Sequence, residues 1–317
     1  MTVYLVCFFL ALISTYLLTP VVESFALKIR AIDLPNDRKV HQRVIPRLGG
    51  LAIYFGFSVA IGFSLWLASF QGMKIDWQMI MGIFAGGSLL VIVGAVDDIK
   101  SIRPMTKLIW QILAALIIIY FGIEITFFSN PFNGILALGV FAIPLTILWV
   151  VGVTNAMNLI DGLDGLATGV TLISALTLFF VAIRTHQLGA AIIMLALAGS
   201  SLGFLRHNFF PAKIFLGDSG SMFLGFVLAS ASIIGVLKTT LVVALIIPLL
   251  VLGVPIFDTL FAIGRRVGTG KHPFEADNKH IHHILLRAGF SQREAVLSIY
   301  IVCFMLSFIA LVMALQR

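Results

Sequence analysis

Charged side chains are scarce in this chain of 317 residues, because Asp, Glu, Lys and Arg together make up only 11% of it. Soluble globular domains carry about 25%, and hydrophobic residues here reach 60%. The composition therefore excludes a soluble globular protein. The apolar runs are continuous and long enough for helices of about 20 residues, whereas a membrane β-barrel needs alternating segments of about ten. We predict an all-α, polytopic membrane protein.

Cysteine is also nearly absent. The two cysteines, Cys7 and Cys303, lie inside apolar runs, so the sequence indicates neither a disulfide framework nor a thiolate metal site. The first apolar run has no basic residue before it and continues to Val22. That length suits a spanning helix, and we expect no cleavable signal peptide.

Ten apolar segments predict about ten transmembrane helices in one domain over residues 1–317. Their bounds are 3–22, 48–69, 78–96, 106–121, 137–153, 166–183, 189–205, 219–236, 240–262 and 295–315. Of the 21 Lys and Arg residues, all but Lys74, Arg184, Lys238 and Arg317 lie on the side of the longer loops. The positive-inside rule makes that side cytoplasmic and places both termini on the extracytoplasmic side.

All the acidic residues except Asp76 and Glu124 lie on this same basic side. Membrane orientation depends on Lys and Arg and hardly on Asp and Glu, so the acids need another cause. We expect an active site on the cytoplasmic loops. The formal net charge of +7 suits an anionic ligand such as a diphosphate, although anionic lipid headgroups would attract it equally.

The segment Thr154–Gly169 reads T-N-A-M-N-L-I-D-G-L-D-G-L-A-T-G and joins two apolar runs. Its four polar side chains stand three residues apart, a spacing that on a helix keeps them near one face. They are Asn155, Asn158, Asp161 and Asp164. One interpretation is a polar connection between helices. The other is a metal and polar-ligand site at the membrane surface.

Two further acidic motifs accompany this segment. Adjacent Asp97 and Asp98 repel each other, and with Lys100 and Lys107 nearby they favour a phosphate site over a purely structural role. Asp218 stands between Gly217 and Ser219-Gly220 at the start of an apolar run. It could be a plain helix cap, or an oxygen ligand of Mg²⁺, which usually takes one or two protein ligands.

Basic residues form two more candidate sites. In the first long loop, Arg38, Lys39, Arg43 and Arg47 could act only in orientation, but Pro46–Gly50 at a helix start resembles an anion seat of backbone N–H groups.

The second basic site is the loop that contains His280, His282 and His283, here called the histidine loop. If helical, His280 and His283 share a face with Arg287, whereas His282 points elsewhere. A zinc site is the rival there, but no cysteine joins the histidines, and phosphate binding fits better.

Together the motifs resemble those of the polyprenyl-phosphate N-acetylhexosamine-1-phosphate transferases. They are Asp97-Asp98, the Asn158, Asp161 and Asp164 stretch, Gly217-Asp218-Ser219-Gly220 and His280-Ile281-His282-His283. The superfamily includes the peptidoglycan translocase, the enterobacterial-antigen and teichoic-acid initiators and the eukaryotic dolichol-phosphate enzyme. The resemblance covers essentially the whole chain, and the histidine loop is closest to the bacterial initiators that use UDP-GlcNAc.

The resemblance implies a role for each motif. Expected catalytic residues are Asp97, Asp98, Asp218, His280, His282 and His283. Expected substrate-binding residues are Asn155, Asp161, Asp164, Lys100, Lys107 and Arg47, with Asp164 at the uracil and the two lysines at the phosphates. Expected ligands of Mg²⁺, or of Mn²⁺ in its place, are Asp218 and Asn158.

The implied reaction is attack by undecaprenyl phosphate on the sugar-linked β-phosphorus of UDP-GlcNAc at the cytoplasmic face of a bacterial inner membrane. Its product would initiate cell-envelope polysaccharide synthesis. We favour direct attack over an aspartyl intermediate. The partners are a UDP-sugar, polyprenyl phosphate and the bilayer, without nucleic acid, and a homodimer is left open. Alternatives are another UDP-N-acetylhexosamine or UDP-MurNAc-pentapeptide as donor, or an ion-coupled transporter.

Overall fold

A computed structural model describes residues 2–34, 44–73, 75–130, 134–234, 246–270 and 280–315 of the chain. These residues form twelve α-helices. The helices are α1 (Thr2–Lys28), α2 (Gly49–Phe70), α3 (Trp77–Lys100), α4 (Pro104–Tyr120), α5 (Ala142–Ile160), α6 (Leu166–Arg184), α7 (Leu188–Asn208), α8 (Gly217–Ser232), α9 (Ile246–Val251), α10 (Gly253–Gly268), α11 (Ile281–Arg287) and α12 (Gln292–Leu315).

Among the described residues, seven helices are long and apolar enough to cross a membrane. They are α1, α2, α3, α6, α7, α12 and α5 together with the 3₁₀ turn before it. The prediction of an all-α, polytopic membrane protein is confirmed. Helix α4 is apolar but shorter, with 17 residues.

The ninth predicted segment, 240–262, begins outside the described residues. Its described part is divided between α9 and α10 at Leu252. Pro255 in the first turn of α10 has no N–H group to bond the preceding turn, and Gly253 is a poor helix former, which together explain the break.

Two short antiparallel β-ladders lie in the loops. Strand β1 (Ile32–Asp33) pairs with β2 (Ile45–Pro46), with Ile32 opposite Pro46. Strand β3 (Phe127–Asn130) pairs with β4 (Gly134–Ala137), with Phe127 opposite Ala137. Neither ladder was predicted from the sequence. The first one matters for function, because Asp33 ends its first strand and Arg47 directly follows its second strand.

Helix α8 lies at the centre of the fold, where every residue from Ser219 to Ser232 is buried. It packs mainly against α3 and α5, with further contacts to α2, α6 and α7. Its sequence is rich in Gly, Ala and Ser, the small residues that let helix backbones approach closely inside a membrane. The N-terminal end of α8, which carries Asp218, is therefore enclosed by several helices.

Glycines on two neighbouring helices bring their backbones against this end of α8. A Cβ atom on Gly94 of α3 would lie 2.4 Å from the backbone N and Cα of Ser219. A Cβ atom on Gly50 of α2 would lie 2.1 Å from the backbone N of Gly220. Because backbone cannot yield like a flexible side chain, only glycine fits at both positions.

We expect Gly94→Ala to lower the free energy of unfolding by about 1–3 kcal/mol, the usual cost of overpacking a close-packed interior. Gly62→Ala is the matched control, since Gly62 is an exposed glycine of α2 with no atom within 4 Å of the added carbon. Melting temperatures of the detergent-purified variants measure the difference. Equal melting temperatures for the two variants would contradict the close approach of α3 and α8.

Candidate active site

A pocket of about 260 Å³ opens at the N-terminal end of α8. Its walls come from the end of α3, the connection between α5 and α6, the segment before α8, the first β-ladder and α11. Six residues singled out in the sequence line it: Arg47, Asp98, Asp161, Asp164, Asp218 and His283. Residues far apart in the sequence therefore meet in one polar cavity.

Asp98 holds the first turn of α8. Its carboxylate accepts hydrogen bonds from the backbone N–H of Asp218 (2.9 Å), the backbone N–H of Ser219 (3.1 Å) and the Ser219 hydroxyl (2.8 Å). Gly217 makes this possible, because its φ of +72° suits glycine and a Cβ there would lie 2.4 Å from Asp98 Oδ2. Asp98 thus caps α8 from a different helix and orients Asp218 next to it.

Lys107 joins two carboxylates beside the pocket. Its ammonium group donates to Asp218 Oδ2 (2.7 Å) and to Asp97 Oδ2 (3.1 Å). Asp97 Oδ1 in turn accepts the backbone N–H of Ile102 at 2.6 Å. Asp97 and Lys107 therefore reach the pocket through Asp218 and do not line it themselves.

Lys100, by contrast, is exposed at the end of α3 and does not line the pocket.

The four polar residues of the Thr154–Gly169 segment separate in the structure. Helix α5 ends at Ile160, so Asp161 and Asp164 lie in a turn, and the expectation that all four share one helix face is wrong. Asn158 lies beside Asp218 and donates to Ser221 Oγ at 2.8 Å. Asn155 faces α4, where its amide donates to Gln111 Oε1 at 2.6 Å.

The turn between α5 and α6 presents both of its carboxylates to the pocket. Asp164 Oδ2 accepts the backbone N–H of Ala212 at 2.9 Å. Asp161 has no hydrogen-bond donor among the described residues. Burial, followed by the negative charges of Asp218 and Asp98, raises the pKa of Asp161 well above its usual range. Both carboxyl groups line the pocket, and Asp161 is the one whose oxygens accept no hydrogen bond from the described residues.

Arg47 reaches the pocket from the first β-ladder, where its guanidinium donates to Asp33 Oδ1. The predicted anion seat at this helix start is wrong. The backbone N–H groups of Gly49 and Gly50 donate to the carbonyls of Phe215 (3.0 Å) and Leu216 (2.9 Å) and are not open to a ligand. These bonds attach the start of α2 to the segment before α8. Arg38, Lys39 and Arg43 lie outside the described residues.

The histidine loop closes the pocket at α11. Among the described histidines of this loop, only His283 lines the pocket. His280 precedes the helix, and its Nδ1 lies 2.8 Å from Asp258 Oδ2, so the expected shared face of His280 and His283 is wrong. His282 is 2% exposed, and its ring stacks parallel to that of His280. Burial, followed by the neighbouring imidazoles of His283 and His280, lowers the pKa of His282 to about 4.

The donor atoms of the pocket fit Mg²⁺ better than zinc. Among the described residues, no group of three His, Cys, Asp or Glu side chains could hold a metal ion by itself. Five carboxyl groups nevertheless line the pocket opposite one guanidinium, so oxygen donors outnumber the cations there. Mg²⁺ needs only one or two protein oxygens, completed by water and phosphate, and Asp218 with Asn158 beside it can supply them.

The chain is similar to several known proteins. A model of glycosyl transferase family 4 matches residues 80–236. A probable undecaprenyl-phosphate N-acetylglucosaminyl 1-phosphate transferase from Bacillus subtilis is 42% identical over 310 residues, which cover 97% of this chain and 84% of that protein. The chain belongs to glycosyl transferase family 4. This confirms the resemblance inferred from the motifs.

Two further relatives of this family member carry similar names. A decaprenyl-phosphate N-acetylglucosaminephosphotransferase from Mycolicibacterium smegmatis is 39% identical, covering 92% of the chain and 77% of that protein. An undecaprenyl-phosphate alpha-N-acetylglucosaminyl 1-phosphate transferase from Escherichia coli is 29% identical, covering 90% of the chain and 78% of that protein. All three relatives therefore extend over most of the fold.

Two acids of the site region, Asp33 and Asp258, were not predicted from the sequence. Asp33 lines the pocket as the partner of Arg47. Asp258 lies in the ninth predicted segment, and an acid inside an apolar segment of a membrane protein indicates a functional site by default. That signal was available for Asp258. Asp33 carries no such signal, because an acid in a polar loop is common.

We expect Asp98→Asn to destabilise the protein by about 1–3 kcal/mol, because an amide has one acceptor oxygen for three donors and turns an N–H group toward the start of α8. Ser219→Ala removes only one of the three hydrogen bonds and should cost about 1 kcal/mol. Thermal unfolding of both variants in detergent tests this order. A smaller loss for Asp98→Asn than for Ser219→Ala would contradict the capping role.

The lowered pKa of His282 predicts that the folded protein loses stability in acid. Its lowered pKa keeps the ring neutral in the folded protein, whereas the unfolded chain takes up a proton below about pH 6.5. Stability should therefore fall as the pH drops from about 6.5 toward 4, by on the order of 2 kcal/mol at pH 5. We expect melting temperature to depend less on pH in His282→Asn. His186→Asn, which alters a histidine outside the pocket, is the control, and parallel curves for all three proteins would refute the prediction.

Proposed function

We propose that this protein transfers N-acetylglucosamine 1-phosphate from UDP-GlcNAc to undecaprenyl phosphate, releasing UMP and leaving a lipid-linked diphosphate sugar. The relatives named for this reaction cover nearly the whole chain. The observation that carries the proposal is the convergence of separate acidic motifs in one pocket. The carboxylates of Asp98, Asp161, Asp164 and Asp218 meet there, with Lys107 bound to Asp218.

The reaction brings two phosphate anions together, so catalysis requires charge neutralisation more than covalent chemistry. A lipid phosphate oxygen attacks the β-phosphorus of the UDP-sugar, the bond from that phosphorus to UMP breaks, and the electron pair leaves with UMP. Lys107, Arg47 and His283 lie at or beside the pocket and can donate hydrogen bonds to phosphate oxygens. Mg²⁺, held by Asp218 and Asn158, would supply further positive charge to the diphosphate.

The geometry favours a positioning role for Asp98 over removal of a proton. Both of its oxygens accept hydrogen bonds from the first turn of α8. A lipid phosphate is already largely ionised at pH 7, because its second pKa is about 6. The nucleophile therefore needs no strong base. In this mechanism Asp98 keeps Asp218 in place, and attack is direct, without an aspartyl intermediate.

An apolar groove supports the lipid half of the proposal. A cavity of about 670 Å³ lies between α10, α11 and α12, with Phe257, Ile284 and Val302 among its lining residues. These three side chains are about half exposed, which suits contact with hydrocarbon. Ile281 at the start of α11 lines the groove, and His283 on the same helix lines the pocket, so a prenyl chain lying in the groove would bring its phosphate end toward the pocket.

We infer ten spans from the apolar segments, and the positive-inside distribution supports both termini on the extracytoplasmic side and a pocket that opens to the cytoplasm. The arrangement counts against an ion-coupled transporter. Such a protein would place its acids near the middle of the membrane, with access from both sides. Here the acids line a pocket at one end of the helices. The cytoplasmic face is also where a soluble nucleotide sugar meets a lipid phosphate.

The test uses purified protein with undecaprenyl phosphate, Mg²⁺ and radiolabelled UDP-GlcNAc, and it follows UMP and the lipid product. UDP-GalNAc and UDP-MurNAc-pentapeptide are run in parallel. We expect product from UDP-GlcNAc alone, and no product after chelation of the metal. Product from another donor only would keep the chemistry and replace the substrate. No UMP from any donor, with folded protein, would refute the proposal.

We expect Asp218→Asn to lower turnover by at least about a hundredfold, the scale of losing one charge-stabilising contact in a transition state. Asp76→Asn is the matched control. Asp76 caps α3 away from the pocket by accepting the backbone N–H groups of Gln78 and Met79, and asparagine caps helices equally well. Turnover of Asp218→Asn close to that of the control would contradict the assignment of Asp218.

A further inference from the structure

Asp258 is an acid in an apolar helix that the mechanism above does not use. It lies on α10, and its side chain is only 8% exposed. It lines the apolar groove but not the polar pocket. A carboxylate in such surroundings is costly unless it is paired, so its partners indicate what it does.

Both oxygens of Asp258 bind the start of the histidine loop. Oδ2 lies 2.8 Å from Nδ1 of His280, and Oδ1 accepts the backbone N–H of Ile281 at 2.8 Å. Because a carboxylate oxygen accepts, the proton of the His280 ring is held at Nδ1. Asp258 therefore orients this imidazole and fixes the first turn of α11 at the same time.

Contacts between imidazole rings connect His280 to the pocket. The rings of His280 and His282 are parallel within 4°, with centroids 5.9 Å apart. The His282 ring then contacts that of His283, with centroids 4.3 Å apart. His282 also packs on Gly162, where a Cβ atom would lie 2.3 Å from its Nε2. His283 and Gly162 both line the pocket.

We propose that Asp258 is a positioning residue for the transfer reaction: by holding His280 and the start of α11, it sets His283 against the pocket where the sugar diphosphate reacts. The inference rests on the proposed function. Asp258 itself touches neither the pocket nor, in this mechanism, the reacting atoms. It acts from the lipid-facing side of the loop, so it also links the apolar groove to the polar site.

The test compares Asp258→Asn and Asp258→Leu in the same assay, with turnover referred to the amount of folded protein. Leucine removes both hydrogen bonds, and we expect kcat to fall about tenfold to a hundredfold, as when the partner that orients a functional histidine is lost. Asparagine has one acceptor oxygen and satisfies one of the two donors, so its loss should be intermediate. The KM for UDP-GlcNAc should change less than kcat, because the contact that is lost belongs to the transition state.

A double variant separates positioning from simple support of the fold. His280→Phe keeps a stacking ring but removes Nδ1. If Asp258 acts through His280, the variant that carries both Asp258→Leu and His280→Phe should be no slower than the slower single variant. Losses in kcat that multiply in the double variant would show that the two residues act independently. A lower melting temperature with unchanged kcat would show a purely structural role. Either result would overturn the proposal.

The wild-type protein and Asp76→Asn run as controls in every assay. Wild-type protein that releases no UMP would refute the proposed function, whatever the variants do. An active wild type with unchanged kcat in Asp258→Leu would refute the positioning role and leave the proposed function standing. The two failures are therefore distinguishable.

Discussion

The capping of α8 by Asp98 is the interaction on which the rest of the site depends. A buried carboxylate of α3 receives three hydrogen bonds from the first turn of the central helix. The left-handed backbone of Gly217 and the close approach at Gly94 bring the two helices near enough for those bonds. This contact holds Asp218, the main candidate ligand of Mg²⁺, and the pocket forms around Asp218.

Electrostatics then explains why so many acids can share one pocket in a membrane protein. Nearly every carboxylate of the site has a hydrogen-bond donor. Arg47 donates to Asp33, Lys107 donates to Asp97 and Asp218, and backbone N–H groups donate to Asp98 and Asp164. Asp161 is the exception: it accepts no hydrogen bond from the described residues, and burial, followed by the charges of Asp218 and Asp98, raises its pKa. A cation and a diphosphate that enter together would complete this arrangement of charges.

Sequence reasoning found the acids of the pocket but not their partners. Asp98, Asp161, Asp164 and Asp218 stood out because acids are rare in this chain and occur in dense motifs. Asn155 and Asn158 looked alike in sequence, yet only Asn158 lies beside Asp218, because α5 turns the other amide toward Gln111. The backbone of Gly49 and Gly50 suggested an anion seat, but hydrogen bonds from those N–H groups to the segment before α8 occupy it.

The class of the protein, a polytopic helical membrane protein, follows from the sequence alone, because hydrophobic length and charge distribution are local properties that need no packing. The family follows from the sequence too, since the motifs keep their order along the chain. The pairing of Lys107 with Asp218 and the contact of Asp258 with the histidine loop appear only in the folded protein. A side chain's partner depends on how the helices pack and rotate against one another, so residues 111 or 120 positions apart in the sequence meet only after the helices have packed.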